Sequence, residues 1–507
     1  MTENYGQKFG MTRRDFAKML GCAAVLGLVD VSGAAANVLG ESEKSLFALA
    51  NGTARTEGEW QLTRIEGKLP RDLNGNLFRV CPGQKETFGV RMKHLFDGDA
   101  FLSRYDFRDG KVSLKAKFLE TPQRLEELQT KQMLYSEFGT AKPAPPENYK
   151  RRHMGKNQPS VNVIRWDGKL LGLSEGAHPT AIDPEKLAFQ GEWDFYGTLP
   201  KDLSFTAHPK FDPMTGEGYT YGIKKGMGLT LTVFRMEKNG KLANIGAFPQ
   251  RDFFMVHDVT MSENYLIFVI PPVKYDLPTL MSGKATPADA LRYAEKEPTR
   301  ILILRKDGTG KPFEIQQPAA MVFHHGNAFE RDGKLIFDSL LTPDDSVLRT
   351  LHSLANDKIP NSTPNKLTRF TVDLASGKLD SRAEFGSNHE FPRFDSRLTG
   401  KDARFLYTAG AETHDFLESS AIMRHDLRTG AAKTVAAGKD RIFGEPVFVP
   451  KAGKHSEENG WILAQGYDAA RHESFLEIRD AATMDFAARV WTQNYIPLGF
   501  HGNFYAE

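Results

Sequence analysis

Short runs rich in apolar and β-branched residues recur along the chain, for example Ser160 to Trp166, Tyr265 to Ile270 and Arg300 to Leu304. A turn tripeptide returns between such runs: Asp109-Gly110-Lys111, Asp167-Gly168-Lys169, Asn239-Gly240-Lys241, Asp332-Gly333-Lys334 and Ser376-Gly377-Lys378. Each is followed at once by an apolar residue (Val112, Leu170, Leu242, Leu335, Leu379). Asp-Gly and Asn-Gly suit tight turns that need positive φ, so these stretches predict β-hairpins. Irregularly spaced hairpins over more than 400 residues predict an all-β propeller or large sandwich rather than a helical or α/β fold. Long polar insertions break the pattern. Residues 122–158 predict a helix from Gln123 to Lys131, and residues 343–366 another helix followed by a loop. Residues 276–298 predict a short helix from Pro287 to Glu297, with Thr286 as N-cap and Pro287 at its first position. Insertions on one face of a propeller commonly cover a central site.

Composition narrows the class. The chain has 507 residues and a mass of 56.7 kDa, enough for about three ordinary domains or one propeller. No linker or shift of composition marks a second domain, so residues 37–507 are expected to form one. Lys and Arg number 66 against 64 Asp and Glu, a net charge of +2 that points to no nucleic-acid or polyanionic partner. With 40% hydrophobic and 26% charged residues, the mix is that of a water-soluble globular protein.

Residues 1–36 read as an address. Arg13-Arg14-Asp15-Phe16 is a twin-arginine pattern, followed by an apolar stretch from Met19 to Val29 and the small residues Gly33-Ala34-Ala35-Ala36. The apolar run is too short for a membrane span. The expectation is export to the periplasm and removal of the segment, which leaves Cys81 as the single cysteine and no internal disulfide. Twin-arginine export carries proteins already folded, often with a cofactor in place, which makes a metal site worth looking for.

Four of the 14 histidines lie among apolar or small residues: His208, His257, His324 and His501. A neutral imidazole in such surroundings needs partners for both nitrogens. Their separations of 49, 67 and 177 residues match no local metal motif, and singly each reads as a hydrogen-bonded core or turn residue. Their neighbourhoods, Ala207-His208-Pro209, Val256-His257-Asp258, Phe323-His324-His325-Gly326-Asn327-Ala328 and Phe500-His501-Gly502-Asn503, occur in the same order as motifs of a known family. Glu66 to Gly75, Arg79 before Pro82-Gly83, and His94-Leu95-Phe96-Asp97-Gly98-Asp99-Ala100 add to the match. At these residues the chain resembles the carotenoid cleavage oxygenases, a family that includes stilbene-cleaving dioxygenases and a retinoid isomerase.

The resemblance implies a seven-bladed β-propeller with helical and loop insertions capping one face, and one non-haem Fe(II) on the axis held by His208, His257, His324 and His501. His325 is the weaker choice beside His324. Glu175, Glu390 and Glu445 match the three glutamates that the family places behind its ligands, and the expected pairs are Glu175 with His257, Glu390 with His324 and Glu445 with His501. The implied reaction is cleavage of one C=C bond by O2 into two carbonyl products, with an apolar polyene as substrate and no protein acid or base beyond the metal ligands. Val161 and Phe323 are candidates for the substrate or O2 pocket. The stilbene-cleaving members carry a Tyr and a Lys that grip a phenol. Here the matching stretch is Phe138-Gly139-Thr140-Ala141-Lys142-Pro143, and Ser174 precedes Glu175, which favours a carotenoid or apocarotenoid. The alternatives are a stilbene or phenylpropanoid dioxygenase, in which Lys142 would contact the phenol, a non-oxidative isomerase, and a metal-free ligand-binding propeller. Apolar residues from Leu277 to Met281 are candidates for peripheral membrane contact. Val161 stands where many members have Thr, Cys81 replaces a usual Gly, and Ala100 replaces the last Gly of its motif.

Overall fold

The hairpin-forming runs assemble into seven antiparallel sheets of four or five strands, the blades of a propeller. The computed structural model describes residues 45–142, 156–225, 229–250, 254–282, 285–355, 363–385, 388–411 and 420–507. The chain divides into the units Met1–Lys44 and Ser45–Glu507; the twin-arginine segment belongs to the first, and both it and parts of the insertions at 122–158, 276–298 and 343–366 are outside the described residues.

One strand of each blade faces the axis: Asn162–Trp166, Lys210–Phe211, Thr260–Met261, Met321–Arg331, Asn388–Arg393, Arg441–Pro450 and Gly502–Ala506. The longer ones are buried almost throughout, because neighbouring inner strands cover them on both sides. Outer strands behave differently. Lys111–Phe118 alternates buried and solvent-facing residues, and Leu379–Ala383 is almost wholly exposed. Apolar layers fill the gaps between blades, as where Val269, Ile301, Val322, Phe337 and Phe370 pack together.

The ring closes twice. Gly502–Ala506 at the C-terminus pairs with Gly75–Pro82, whose blade otherwise comes from the N-terminal part, and Ile65–Gly67 completes the last blade by pairing with Phe486–Trp491. Three of the tripeptides are two-residue hairpin turns with positive φ at both positions: Asp109-Gly110 (51° and 73°), Asp167-Gly168 (48° and 70°) and Asp332-Gly333 (51° and 72°). At Gly240 and Gly377 only the glycine has positive φ, and the turns are longer.

Helix Pro122–Thr130 forms as expected, capped by Thr121, whose hydroxyl accepts the Arg124 N–H. Helix Ser346–Ala355 forms in the insertion at 343–366. The helix expected over Pro287 to Glu297 does not form. Thr286 Oγ1 accepts the Asp289 N–H, but the turn stops after Ala288–Ala290, and Leu291–Tyr293 pairs instead with Val273–Tyr275. Strand pairing overrides a locally helical start. Ala100 does not sit at positive φ, so its side chain is tolerated, whereas Gly98 has φ 119°.

Candidate metal centre

His208 and His257 lie in the short segments leading into inner strands Lys210–Phe211 and Thr260–Met261, His501 directly precedes the C-terminal inner strand, and His324 lies within one. The blade geometry therefore delivers four imidazoles to one point on the axis. Their Nε2 atoms are 3.0 Å apart for His208 and His257, 3.2 Å for His257 and His324, and 3.1 Å for His324 and His501. All four ligand atoms lie within 4.8 Å of one another, and all four residues are buried.

Bulges aim the groups. The pairing of the inner strands shifts register between Val322 and Ala328, between Glu390 and Arg393, and between Phe443 and Pro446. An extra residue re-aims the side chain beside it, and these bulges flank His324, Glu390 and Glu445. His324 faces the axis while its neighbour His325 turns away, its Nδ1 bonding Ser339 Oγ at 2.8 Å. Phe391, next to Glu390, has φ 54° although buried, a costly conformation for a non-glycine residue.

Behind the rings stand the three glutamates. His324 Nδ1 donates to Glu390 Oε2 at 2.6 Å, His501 Nδ1 donates to Glu445 Oε1 at 3.0 Å, and His257 Nδ1 contacts Glu175 Oε1. The sequence pairs meet one for one; His208 has no such carboxylate among the described residues. The supports differ. Glu390 Oε1 accepts the Asn365 side-chain amide at 3.1 Å. Glu445 accepts Arg393 at 3.1 Å and the Gly502 N–H at 2.9 Å, with the Arg79 guanidinium 3.7 Å away. The Glu175 side chain is 32% exposed, whereas those of Glu390 and Glu445 are buried. Asn365, Arg393 and Arg79 had no assigned role in the sequence. The signal was there for the arginines: a cation on a buried, apolar strand requires an acid.

Burial governs the electrostatics of the metal-free centre. It pushes the His208 imidazolium well below its ordinary range, helped by the neighbouring rings. His501 falls to about 4 by burial, although Glu445 opposes the shift. His324 is raised instead, because the attraction of Glu390 outweighs burial. Burial also acts on Glu445, but Arg393, His501 and Arg79 hold its carboxyl at about 2. A ring whose Nδ1–H is given to a carboxylate presents a lone pair at Nε2. Lone pairs facing each other at about 3 Å repel, and a divalent cation between them reverses that; the donor set therefore fits a metal ion.

Aromatic residues cover the centre. Phe323 lies 4.9 Å from the His257 ring, and Phe391 lies 5.7 and 5.5 Å from those of His324 and His501. Both belong to an apolar cluster with Phe47, Leu95, Val347, Leu351 and Phe500, to which the helices Leu46–Ala50 and Ser346–Ala355 contribute. Val161 is half-buried beside Leu173 and Ala207, and its neighbour Asn162 bonds the Ala207 carbonyl, one residue before His208. Lys142 is buried. Cys81 is also buried, with its thiol pushed up to about 12, as suits packing rather than chemistry. A cleft of about 480 Å³ begins at Gly176, directly after Glu175, but its walls include His178, Glu192, Asp194 and Asp202 and do not suit an apolar ligand.

Residues 51–506 match the family described as retinal pigment epithelial membrane protein. The chain is 30% identical over 461 residues to apocarotenoid-15,15'-oxygenase of Synechocystis, covering 88% of this chain and 93% of that one. It is 25% identical to resveratrol cleavage oxygenase 1 of Aspergillus fumigatus, covering 89% and 93%. The solved structure of cobalt-substituted Synechocystis apocarotenoid oxygenase superposes with a TM-score of 0.83 at 29% identity, covering 91% of this chain and 98% of that one.

Proposed function

Because the chain belongs to the retinal pigment epithelial membrane protein family, whose members here include carotenoid cleavage oxygenases, we propose that it is an Fe(II)-dependent dioxygenase that cleaves one C=C bond of a carotenoid or apocarotenoid into two carbonyl products. The observation that carries this reading is the convergence of the His208, His257, His324 and His501 Nε2 atoms on one buried point. The four Nε2 atoms, with neighbouring spacings of 3.0–3.2 Å, would hold the ferrous ion through neutral imidazoles, a ligand type that suits iron.

Ferrous iron, when bound, supplies the redox chemistry by which O2 attacks an alkene. The protein's part is to hold and to exclude. Glu175, Glu390 and Glu445 fix the tautomer and aim of three rings. Phe323, Phe391 and their apolar neighbours give an extended hydrocarbon a dry surface beside the centre, where position decides which double bond reacts. Val161 would border the same space. Ser174, where phenol-binding members carry Lys, supports a polyene over a hydroxystilbene. Residues 1–36 direct the folded protein to the periplasm in this reading, with iron loaded beforehand, so that zinc and copper, which imidazoles bind more tightly, do not compete. The helix Leu277–Met281 has no buried residue and Met281 is 82% exposed, which suits contact with a membrane surface that supplies substrate. Among the described residues no helix is long and apolar enough to cross a membrane.

Purified protein reconstituted with Fe(II) should consume O2 and convert a carotenoid or apocarotenoid into two shorter carbonyl compounds, read by oxygen electrode and mass spectrometry. His257→Ala should abolish both turnover and stoichiometric iron. Preferential cleavage of 4-hydroxystilbenes would move the assignment to the phenylpropanoid branch, and conversion without O2 uptake to an isomerase. A wild-type protein that takes up no metal would leave only a ligand-binding propeller.

A further inference from the structure

Asp258 directly follows His257 and is buried, yet its carboxylate does not face the metal point. Its Oδ2 accepts the backbone N–H of His325, the residue after His324, at 3.0 Å. Its Oδ1 lies 2.8 Å from Nζ of Lys210, two residues after His208. The same oxygen accepts the Val259 N–H at 2.7 Å, which holds the carboxylate against its own strand. One side chain thus joins the segments that carry three of the four histidines, across three adjacent blades. The remaining ligand has a counterpart. Asn503, two residues after His501, donates to Asn162 Oδ1 at 3.1 Å and to the Val163 carbonyl at 2.9 Å. It accepts from Arg393, which also donates to Glu445. Asn162 in turn bonds the Ala207 carbonyl at 2.8 Å. Each ligand segment is therefore tied sideways to a neighbouring blade by a polar residue within three positions of a histidine.

We propose that Asp258, paired with Lys210, is a positioning residue of the metal centre: by cross-linking the His208, His257 and His324 segments it fixes the spacing of their Nε2 atoms, and thereby the affinity and ligand field of the bound ion. The inference rests on the metal-centre reading above. Geometry favours it over a general staple between blades. A staple has no need to sit next to a ligand and to grip the residues just after two others, whereas a device that sets ligand spacing must do so. A carboxylate held by one ammonium and two backbone N–H groups is stiff, and stiffness among ligands raises metal affinity by reducing what must be ordered on binding.

Cobalt(II) titration of the metal-free protein, followed by its visible ligand-field bands, tests this without turnover. Asp258→Asn and Lys210→Met should each weaken cobalt binding by about 10- to 100-fold, the usual effect of losing a partner behind the ligands, and should shift the bands. Glu477→Gln, which breaks a buried ion pair with Arg479 and Arg489 on a strand away from the axis, should lower the melting temperature while leaving cobalt affinity and spectrum as in wild type. Wild-type affinity and bands in Asp258→Asn and Lys210→Met overturn the inference, as does an equal loss of affinity in Glu477→Gln, which would make the effect one of general stability. Should Asp258→Asn fail to fold, Lys210→Met, altering a partly exposed side chain, decides alone. A wild-type protein that binds no cobalt or iron overturns the metal-centre reading, and this inference with it.

Discussion

His324 and His325 are neighbours with opposite fates, one turned to the axis and held by Glu390, the other turned outward to Ser339. Composition could not separate them, because a one-residue change of facing in a bulged strand depends on the partner strand. Burial makes the His208 and His501 rings resist protonation, and this gives a pH prediction for the metal-free protein. His501 and His325 are held at about 4 when folded, against 6.5 for the unfolded chain, and burial holds His208 well below its ordinary value too. Between those values the unfolded state binds protons that the folded state refuses, so stability is full above about 6.5 and falls as pH drops toward 4. His324 is shifted the other way and opposes the trend. The metal-free protein should melt at a lower temperature at pH 5.0 than at pH 7.5, by scanning calorimetry. Equal melting at the two values would mean that these rings are already charged or solvated.

At the scale of the hairpin and helix, the sequence was most readable where geometry is local. Asp-Gly at 109, 167 and 332 forces a two-residue turn because positive φ is needed at both positions. Gly333 has φ 72° and no atom within 4 Å of where a Cβ would stand, so Gly333→Ala should cost only the backbone term of about 1–2 kcal/mol. Gly67 has φ 78°, and a Cβ there would lie 2.3 Å from the Ala487 carbonyl oxygen, across the closing strand pair. Gly67→Ala should therefore destabilise clearly more than Gly333→Ala, measured by urea unfolding; equal costs would show that the closing strand yields freely. The failed helix at Pro287 shows the limit of local reasoning. Thr286 and Pro287 start a turn that Leu291–Tyr293 leaves for a strand partner 18 residues upstream, a choice no window of sequence contains.

For the whole molecule, ring closure and site assembly are one event. The C-terminal strand Gly502–Ala506 locks onto Gly75–Pro82 and also brings in His501. A chain ending at Leu498 should lose both cooperative unfolding and metal uptake, whereas His501→Ala should lose metal but keep a cooperative transition, both followed by circular dichroism and metal analysis. A truncated chain that melts like the full one would separate closure from stability. The sequence by itself determined that the chain is all-β, where its tight turns fall, and, through ordered motifs that resemble those of a known family, which four histidines and three glutamates to watch. The strands and turns follow from φ preferences and alternation, which are local, whereas the histidines and glutamates were singled out by the resemblance alone. Only the tertiary structure decided that imidazoles spread over nearly 300 residues meet within 4.8 Å, that Arg393 and Asn365 hold the glutamates, and that Asp258 ties three ligand segments together. Those distances are set by the closure of seven blades around an axis, a constraint that exists only once every blade is in place.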